Sequence, residues 1–217
     1  MNDLDLALQC QRQYNGQIPL RTVAEVDYSI VQNDDALDIV FQGTSNLEDA
    51  KRDLEALMFV TEWGRVHKGA YDGLSNVYLA EKDNLPKDKP IRISGHSLGS
   101  MEASMFACMI RYAGYQNVEC ITLACPLWGD RGAIAYFTNM VKNHTYQNYL
   151  DLFHHDFFTM IPVWLPDEPY VPPPNRTRFW SAPTLENEYR VKYNAPEGIQ
   201  AHSLADCYIP YLKKVFS

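Results

Sequence analysis

Cysteine is scarce in this sequence of 217 residues. The five cysteines are odd in number and scattered, and they form neither a paired zinc-binding spacing nor a disulfide framework. Cys108 and Cys120 fall within apolar segments, where a small buried thiol is the ordinary structural role. Because a domain of this length buries roughly 70% of the surface of its unfolded chain, it needs no disulfide or structural metal site for stability. A reducing compartment is therefore expected.

Positive charge is also in short supply. The chain carries 19 Lys and Arg against 27 Asp and Glu, for a formal net charge of −8. Nucleic-acid binding depends on Lys and Arg displacing counterions, so this balance argues against a nucleic-acid partner and against tight docking on anionic lipid. At most a transient contact with a lipid interface is expected. The six histidines include no pair at metal-ligand spacing, so neither a metal nor a cofactor is expected.

Long hydrophobic runs are absent as well. No apolar stretch approaches the length of a transmembrane helix, and the acidic start of the chain lacks the basic and apolar regions of a signal peptide. These absences predict a cytoplasmic protein by default.

The apolar residues that are present alternate between strand-like and helix-like periodicity. The strand-like segments are 23–31, 36–41, 91–94, 118–124 and 146–152, and the helix-like segments are 3–14, 46–58, 69–81, 98–112, 129–141 and 203–216, the last interrupted near Pro210. This alternation predicts one α/β domain over residues 1–217, with a mostly parallel sheet flanked by helices on both faces. Active sites of such folds lie at the carboxyl ends of the strands.

One of these strand–helix junctions carries the sequence Gly95-His96-Ser97-Leu98-Gly99. A serine hydroxyl becomes a nucleophile only when a base takes its proton and its side chain stands clear of the backbone. A sharp strand-to-helix turn exposes it in this way, and the crowded backbone needs glycines on both sides. The pattern predicts that Ser97 is a nucleophile with Gly95 and Gly99 as the elbow glycines. The alternative is an ordinary turn with an inert serine.

Four further segments, together with the serine turn, resemble the class 3 (fungal-type) lipase family in the family's order. They are Ile39-Val40-Phe41-Gln42-Gly43-Thr44, similar to its strand ending in Phe-Arg-Gly-Thr/Ser; Asp53-Leu54, similar to the end of its lid; Val66-His67-Lys68-Gly69-Ala70-Tyr71, similar to its Val-His-x-Gly-Phe stretch; and Cys125-Pro126-Leu127-Trp128-Gly129, similar to its Ser-Pro-x-x-Gly turn. The resemblance implies an α/β-hydrolase fold with a short lid helix, and carboxylic ester hydrolysis. Gln42 and Ser100 depart from the family pattern, and residues 163–201 match none of it.

Chain order in this hydrolase class runs from serine to acid to histidine. By resemblance the acid is Asp156, which follows the predicted strand 146–152; Asp151 is the next candidate, and Asp130 and Asp167 also lie downstream of the serine. Among the histidines, only His202 follows Asp156, and its surroundings resemble the family's histidine loop. His202 is therefore expected to act as the base, oriented by Asp156.

The other two histidines near the motifs have structural interpretations. His96 lies inside the elbow and is expected to point away from the serine oxygen. His67 matches a family position that has no catalytic role, which indicates a hydrogen-bonded, partly buried imidazole.

An ester hydrolase also needs donors for the tetrahedral oxyanion. The backbone N–H of Leu98 is the first expected donor, and by resemblance Thr44 is the second. The apolar stripe over residues 46–58 directly follows Thr44 and is a candidate lid, the alternative being a helix permanently packed on the body. The Pro- and aromatic-rich insertion 163–201 either walls a substrate pocket or packs on the body as a stiff loop.

The expected function is a serine carboxylic ester hydrolase, a lipase or esterase that cleaves acylglycerol-type or short-to-medium-chain esters through an acyl-enzyme on Ser97. Its expected partner is a small-molecule ester or lipid substrate. A phospholipase or acyl transferase with the same triad is the alternative among enzymes. A binding protein on an inactive hydrolase fold is the alternative from another class.

Overall fold

A seven-stranded mixed sheet lies at the centre of the fold. The computed structural model describes residues 3–43, 58–149, 176–179 and 208–216. Its strands are β1 (Arg21–Val23), β2 (Val26–Gln32), β3 (Leu37–Phe41), β4 (Met58–Thr61), β5 (Gly64–His67), β6 (Ile91–His96), β7 (Val118–Leu123), β8 (Lys142–Tyr149) and β9 (Arg176–Phe179). Its helices are α1 (Asp3–Tyr14), α2 (Lys68–Tyr71), α3 (Leu74–Glu81), α4 (Leu98–Tyr112), α5 (Arg131–Met140) and α6 (Ile209–Phe216).

The strand order in the large sheet is β1-β2-β3-β6-β7-β8-β9, and β4 and β5 form a separate hairpin. Strand β3 pairs in parallel with β6, and the pairs β6–β7, β7–β8 and β8–β9 are also parallel. The pairs β1–β2 and β2–β3 are antiparallel. Every residue of β3 and of β6 is buried, as in sheets covered on both faces. The predicted α/β fold with a mostly parallel sheet is therefore confirmed.

The two faces of the sheet carry different helices. Alternate side chains of β3 point to opposite faces: Ile39 and Phe41 join the large core that also includes α4, whereas Val40 joins a smaller core with α1 and α6. The turn at residues 95–99 joins the sheet to the helix of the larger core, because β6 ends at His96 and α4 begins at Leu98. Within the described ranges, no helix is long and apolar enough to cross a membrane.

A buried ion pair joins the two central parallel strands near their amino ends. Asp38 and Arg92 are cross-strand partners in the β3–β6 register, and Arg92 Nε donates to Asp38 Oδ1 at 2.6 Å. The other carboxylate oxygen accepts from Gln9 Nε2 at 2.7 Å and Asn33 Nδ2 at 2.8 Å. Because a buried charge is costly unless it is paired and hydrogen-bonded, these bonds let Asp38 remain inside the sheet.

Two predicted elements are divided in the structure. The segment 23–31 is not one strand, since Ala24 and Glu25 take positive φ values of 49° and 67° and form a two-residue turn between β1 and β2. The helix expected over 69–81 is divided into α2 and α3 by Gly73, whose φ is +90° and where a Cβ would lie 2.5 Å from the Ala24 carbonyl oxygen. The close approach of Gly73 to Ala24 explains why the helix is interrupted at this glycine.

The end of the candidate lid is a strand and not a helix. Met58 opens β4, which pairs antiparallel with β5, and Val66 in β5 forms a bridge with Gly129. The prediction of a helix through Met58 was therefore wrong at that residue, because the apolar stripe continues into a hairpin. Residues 46–57 lie outside the described residues.

Two other boundaries differ from the predictions. Strand β8 begins at Lys142, four residues before the predicted start at 146, and residues 150–152 lie outside the described part. Helix α5 begins at Arg131 because the Asp130 side chain caps it by accepting the Ala133 N–H at 2.9 Å. Helix α6 contains Pro210, and residues 203–207 of the predicted closing helix lie outside the described residues, so its interruption near Pro210 stays a prediction.

His67 has a structural role at the junction between β5 and α2. It is completely buried, and its Nδ1 accepts a hydrogen bond from the Ala70 backbone N–H at 3.2 Å. Burial lowers the pKa of His67 from 6.5 to about 4. Protonation would also remove the acceptor that caps α2, so the imidazole is neutral near pH 7, in agreement with the structural interpretation of this residue.

This low pKa predicts an acid-dependent loss of stability. The unfolded chain binds a proton at His67 below about pH 6.5, whereas the native state binds one only below about pH 4. The contribution of the neutral imidazole to the free energy of unfolding is therefore fully present above pH 6.5 and is lost as the pH falls towards 4. Between about pH 7.5 and 5 the wild type should lose about 2 kcal/mol more unfolding free energy than His67→Asn, which keeps a side-chain acceptor. Urea unfolding at both pH values measures the difference, and equal losses would contradict the assignment.

Candidate active site

The backbone at Ser97 takes a conformation that serine rarely adopts. Strand β6 ends at His96, helix α4 begins at Leu98, and Ser97 between them has φ 57° and ψ −128°. A positive φ in a non-glycine residue is held only where the surrounding structure imposes it, at a cost of about 1–3 kcal/mol. The junction is thus a sharp strand-to-helix elbow centred on Ser97.

Two glycines make this elbow possible. A Cβ at Gly95 would overlap the Gly99 carbonyl, and a Cβ at Gly99 would lie 2.5 Å from the Phe41 carbonyl oxygen and 2.8 Å from the Gly43 nitrogen. All of these neighbours are backbone atoms, which cannot rotate out of the way. The elbow therefore packs simultaneously on itself and on the end of β3.

Gly43 brings the end of β3 next to Ser97. A Cβ at Gly43 would overlap the His96 carbonyl and lie 3.1 Å from the Ser97 Cβ. Thr44, the expected second oxyanion donor, is the next residue along the chain and lies outside the described residues. The first expected donor, Leu98, is the first residue of α4, where helix geometry leaves backbone N–H groups without intrahelical partners.

Hydrogen bonds hold the peptide units on both sides of Ser97. The Ser97 N–H donates to the Leu123 carbonyl of β7 at 3.1 Å. The Ser97 carbonyl accepts from the Ser100 N–H at 3.0 Å and from Ser100 Oγ at 2.5 Å. Ser100, which replaces a glycine of the family pattern, thus adds a bond that tightens the first turn of α4.

The side chain of His96 lies in the smaller core, on the face of α1 and α6. Its Nδ1 is 3.2 Å from the Tyr14 hydroxyl, and its ring makes edge contacts with the rings of Tyr14 and Tyr208. Tyr14 is a residue that the sequence motifs do not indicate. The only available signal was its position at the end of an amphipathic helix, which does not show what it contacts.

Three buried cysteines cannot compete with serine as nucleophiles. Cys10, Cys108, Cys120 and Cys125 are buried, and none of them forms a disulfide. Burial raises the pKa of Cys10 to about 12 and raises the pKa of Cys108 and Cys120 well above the usual thiol value. The thiols of Cys10, Cys108 and Cys120 are therefore protonated at neutral pH and lack the thiolate that reacts.

The expected acid and base belong to other parts of the chain. Asp156, its alternative Asp151, and His202 all lie outside the described residues, as does the insertion 163–201 apart from β9. Among the residues that are described, no group of three His, Cys, Asp or Glu side chains could hold a metal ion.

Comparison with known proteins identifies the family. Residues 38–165, more than half of the chain, match the family described as Lipase (class 3). No curated protein sequence matches the chain. The protein belongs to the class 3 lipase family.

Solved structures of fungal lipases resemble this fold. The Rhizomucor miehei triacylglyceride lipase has 16% sequence identity and a TM-score of 0.60, over 82% of this chain and 79% of that one. A Rhizomucor miehei lipase in a propeptide complex has 18% identity and a TM-score of 0.58, over 74% of this chain but only 61% of that one. A triacylglycerol lipase with a serine protease triad at its catalytic centre has 18% identity and a TM-score of 0.59, over 74% and 71% of the two chains. The likeness establishes the α/β-hydrolase fold.

The glycine contacts of the elbow predict the effect of one methyl group. Gly99→Ala would press a Cβ against the backbone of residues 41–43, so we expect a loss of about 1–3 kcal/mol in unfolding free energy and a large loss of esterase activity. Gly132→Ala in α5 is the control, since its Cβ would have 3.2 Å to its nearest neighbour and alanine favours a helix. Urea unfolding and ester hydrolysis measure both effects. A Gly99→Ala protein as stable as the control would contradict this packing.

Proposed function

We propose that the protein is a serine carboxylic ester hydrolase that forms an acyl-enzyme on Ser97. The observation that carries the proposal is the backbone conformation of Ser97, with φ 57° and ψ −128°, at a turn where Gly95 and Gly99 provide the necessary space. An inert serine in an ordinary turn needs neither the unusual conformation nor two glycines in backbone contact. Membership of the class 3 lipase family supports the same reaction.

Helix α4 contributes to this chemistry through its amino end. The helix begins directly after the nucleophile, so its first N–H groups and its dipole face the point where negative charge develops on the substrate. The Leu98 N–H is the proposed first oxyanion donor. Thr44, whose predecessor Gly43 packs beside Ser97, is the proposed second donor. Each such donor typically contributes about 3–4 kcal/mol to transition-state stabilisation.

Acylation would begin with the transfer of the Ser97 hydroxyl proton to the imidazole of His202. The serine oxygen forms a bond to the ester carbonyl carbon, and the carbonyl electrons move onto the oxygen held by the oxyanion donors. When the tetrahedral intermediate collapses, the alcohol leaves with the proton from His202. Asp156 would hold the imidazole in the required tautomer and stabilise its charged form.

Deacylation would repeat these steps with water in place of serine. His202 takes a proton from the water, the resulting hydroxide attacks the acyl carbon, and Ser97 leaves as it recovers the proton. The products are a carboxylic acid and an alcohol, and no cofactor enters the balance.

The proposed substrates are acylglycerol-type or short-to-medium-chain esters. Support for this class comes from the family and from the triacylglycerol lipases that share the fold. The candidate lid over residues 46–57 would cover the acyl site, and its charged residues favour activity on dissolved esters over a strict requirement for an interface.

The role of Ser97 is tested by its replacement with alanine. Ser97→Ala removes a single hydroxyl, so the protein should remain folded while hydrolysis of p-nitrophenyl butyrate and labelling by a fluorophosphonate probe are lost. Ser104→Ala is a matched control, since Ser104 is a buried serine of α4 that donates to the Ser100 carbonyl at 2.9 Å. It should keep both activities. Residual hydrolysis by Ser97→Ala above a tenth of the wild-type rate would rule out the proposed nucleophile.

The assignment of the acid is tested by comparing two neighbouring aspartates. Asp156→Asn would present the wrong imidazole tautomer to Ser97 and should lower kcat by about two to four orders of magnitude. Asp151→Asn should lower it less than about threefold, since Asp151 is not proposed to contact His202. Steady-state kinetics of both variants decide the matter, and the reverse ranking would transfer the role to Asp151.

A further inference from the structure

Helix α1 is fixed to the sheet by two glutamines one turn apart. Gln13 Nε2 donates to Ser29 Oγ in β2 at 3.0 Å and to the Val40 carbonyl in β3 at 2.8 Å. Gln9 Nε2 donates to Asp38 of β3 at 2.7 Å. Both glutamine side chains are buried. The end of α1, and with it Tyr14, is therefore held at a defined position above the end of β3.

The Tyr14 hydroxyl contacts one residue in each of the two segments that lead to the proposed oxyanion donors. It lies 3.2 Å from Nδ1 of His96, the residue before the nucleophile. A Cβ at Gly43 would lie 2.6 Å from the same oxygen, so the backbone before Thr44 packs directly against it.

Burial raises the pKa of Tyr14, so the phenol keeps its proton at neutral pH. A hydroxyl and an imidazole nitrogen can each donate or accept, so a hydrogen bond joins Tyr14 to His96 in either imidazole tautomer. The same oxygen packs against Gly43, so one hydroxyl links the end of β3 to the end of β6.

We propose that Tyr14 is a positioning residue for the oxyanion site, because its hydroxyl packs against Gly43 and hydrogen-bonds the side chain of His96, and so fixes the spacing between the residue before Thr44 and the residue before Ser97. This inference rests on the proposed esterase function. Tyr14 acts through Thr44 and the elbow, and it does not itself donate to the substrate.

Such a role affects the transition state more than substrate binding. Oxyanion donors contribute only when they lie about 2.7–3.1 Å from the position of the developing charge, so a small displacement of Thr44 weakens them in the transition state. Loss of the Tyr14 hydroxyl should therefore lower kcat and leave KM nearly unchanged. It should also weaken tetrahedral boronate inhibitors, which carry a negatively charged oxygen in the same place.

The test is Tyr14→Phe in the full chain, assayed with p-nitrophenyl butyrate and with phenylboronic acid as inhibitor. We expect kcat to fall about tenfold, KM to stay within about twofold, and the inhibition constant for the boronate to rise about tenfold. Tyr28→Phe is the matched control, since Tyr28 donates its buried hydroxyl to Glu81 at 2.7 Å. It should reduce thermal stability but leave kcat and the inhibition constant unchanged.

A second substitution tests the same link from its other end. His96→Leu removes the hydrogen-bond partner of the Tyr14 hydroxyl, whereas His96→Asn retains a polar atom near the position of Nδ1. We expect a reduced kcat for His96→Leu, a substantial recovery for His96→Asn, and no further loss when His96→Leu is added to Tyr14→Phe. The His96 variants still test the proposal if Tyr14→Phe or Tyr28→Phe folds poorly.

The possible failures are distinguishable. An active wild type whose kcat and boronate affinity are unchanged in Tyr14→Phe would overturn the inference alone. So would equal losses in Tyr14→Phe and Tyr28→Phe, since these would show a general effect on stability. A folded wild type without esterase activity or fluorophosphonate labelling would overturn the proposed function, and the inference with it.

Discussion

The candidate site depends on a contact between backbones at positions that carry no side chain. Gly95 and Gly99 approach each other across the elbow, and Gly99 and Gly43 bring the elbow against the end of β3. Because these contacts join main-chain atoms at the ends of paired strands, sheet pairing brings Ser97 next to Gly43, the residue before Thr44. The sheet therefore brings the nucleophile close to a proposed oxyanion donor, and the proposed role of Tyr14 is to hold that spacing.

The layers on the two faces of the sheet support this contact in different ways. On one face, α4 is buried along most of its length and carries the elbow on its first turn. On the other face, α1 is attached by polar side chains of Gln9 and Gln13 as well as by apolar packing. A polar attachment fixes the rotation and height of a helix more narrowly than apolar contact alone, because hydrogen bonds are directional. Helix α1 thus has the precision that a positioning role for Tyr14 requires.

Local patterns predicted the elements that carry the elbow. The bounds of α4 agree with the predicted 98–112 because its apolar period is strong and Gly114 follows its end. The class 3 lipase resemblance and the α/β-hydrolase fold are confirmed by the family match and the solved structures. By contrast, the roles of Asp156, His202 and Thr44 stay predictions, since they depend on segments outside the described residues.

Other features could not be predicted because they depend on contacts distant in sequence or on rare backbone conformations. The turn at Ala24 and Glu25 has positive φ values without the glycine or asparagine that usually indicates such a turn. The β4–β5 hairpin was not predicted, because the apolar residues at the end of the segment 46–58 fit the end of a helix as well as the start of a strand. The contact between Tyr14 and His96 spans 82 positions, so no local pattern contains it.

The Asp38–Arg92 pair has a consequence for how the sheet assembles. These residues face each other in the β3–β6 register, and a slip by one residue would place each charge against an apolar partner inside the sheet. Such a misaligned sheet would bury an unpaired carboxylate and an unpaired guanidinium, at a cost of several kcal/mol. The ion pair thereby selects one alignment of two otherwise interchangeable apolar strands during folding. Since residue 38 leads to Gly43 and residue 92 leads to Ser97, a charge pair near the amino ends of these strands ensures that the correct atoms meet at their carboxyl ends.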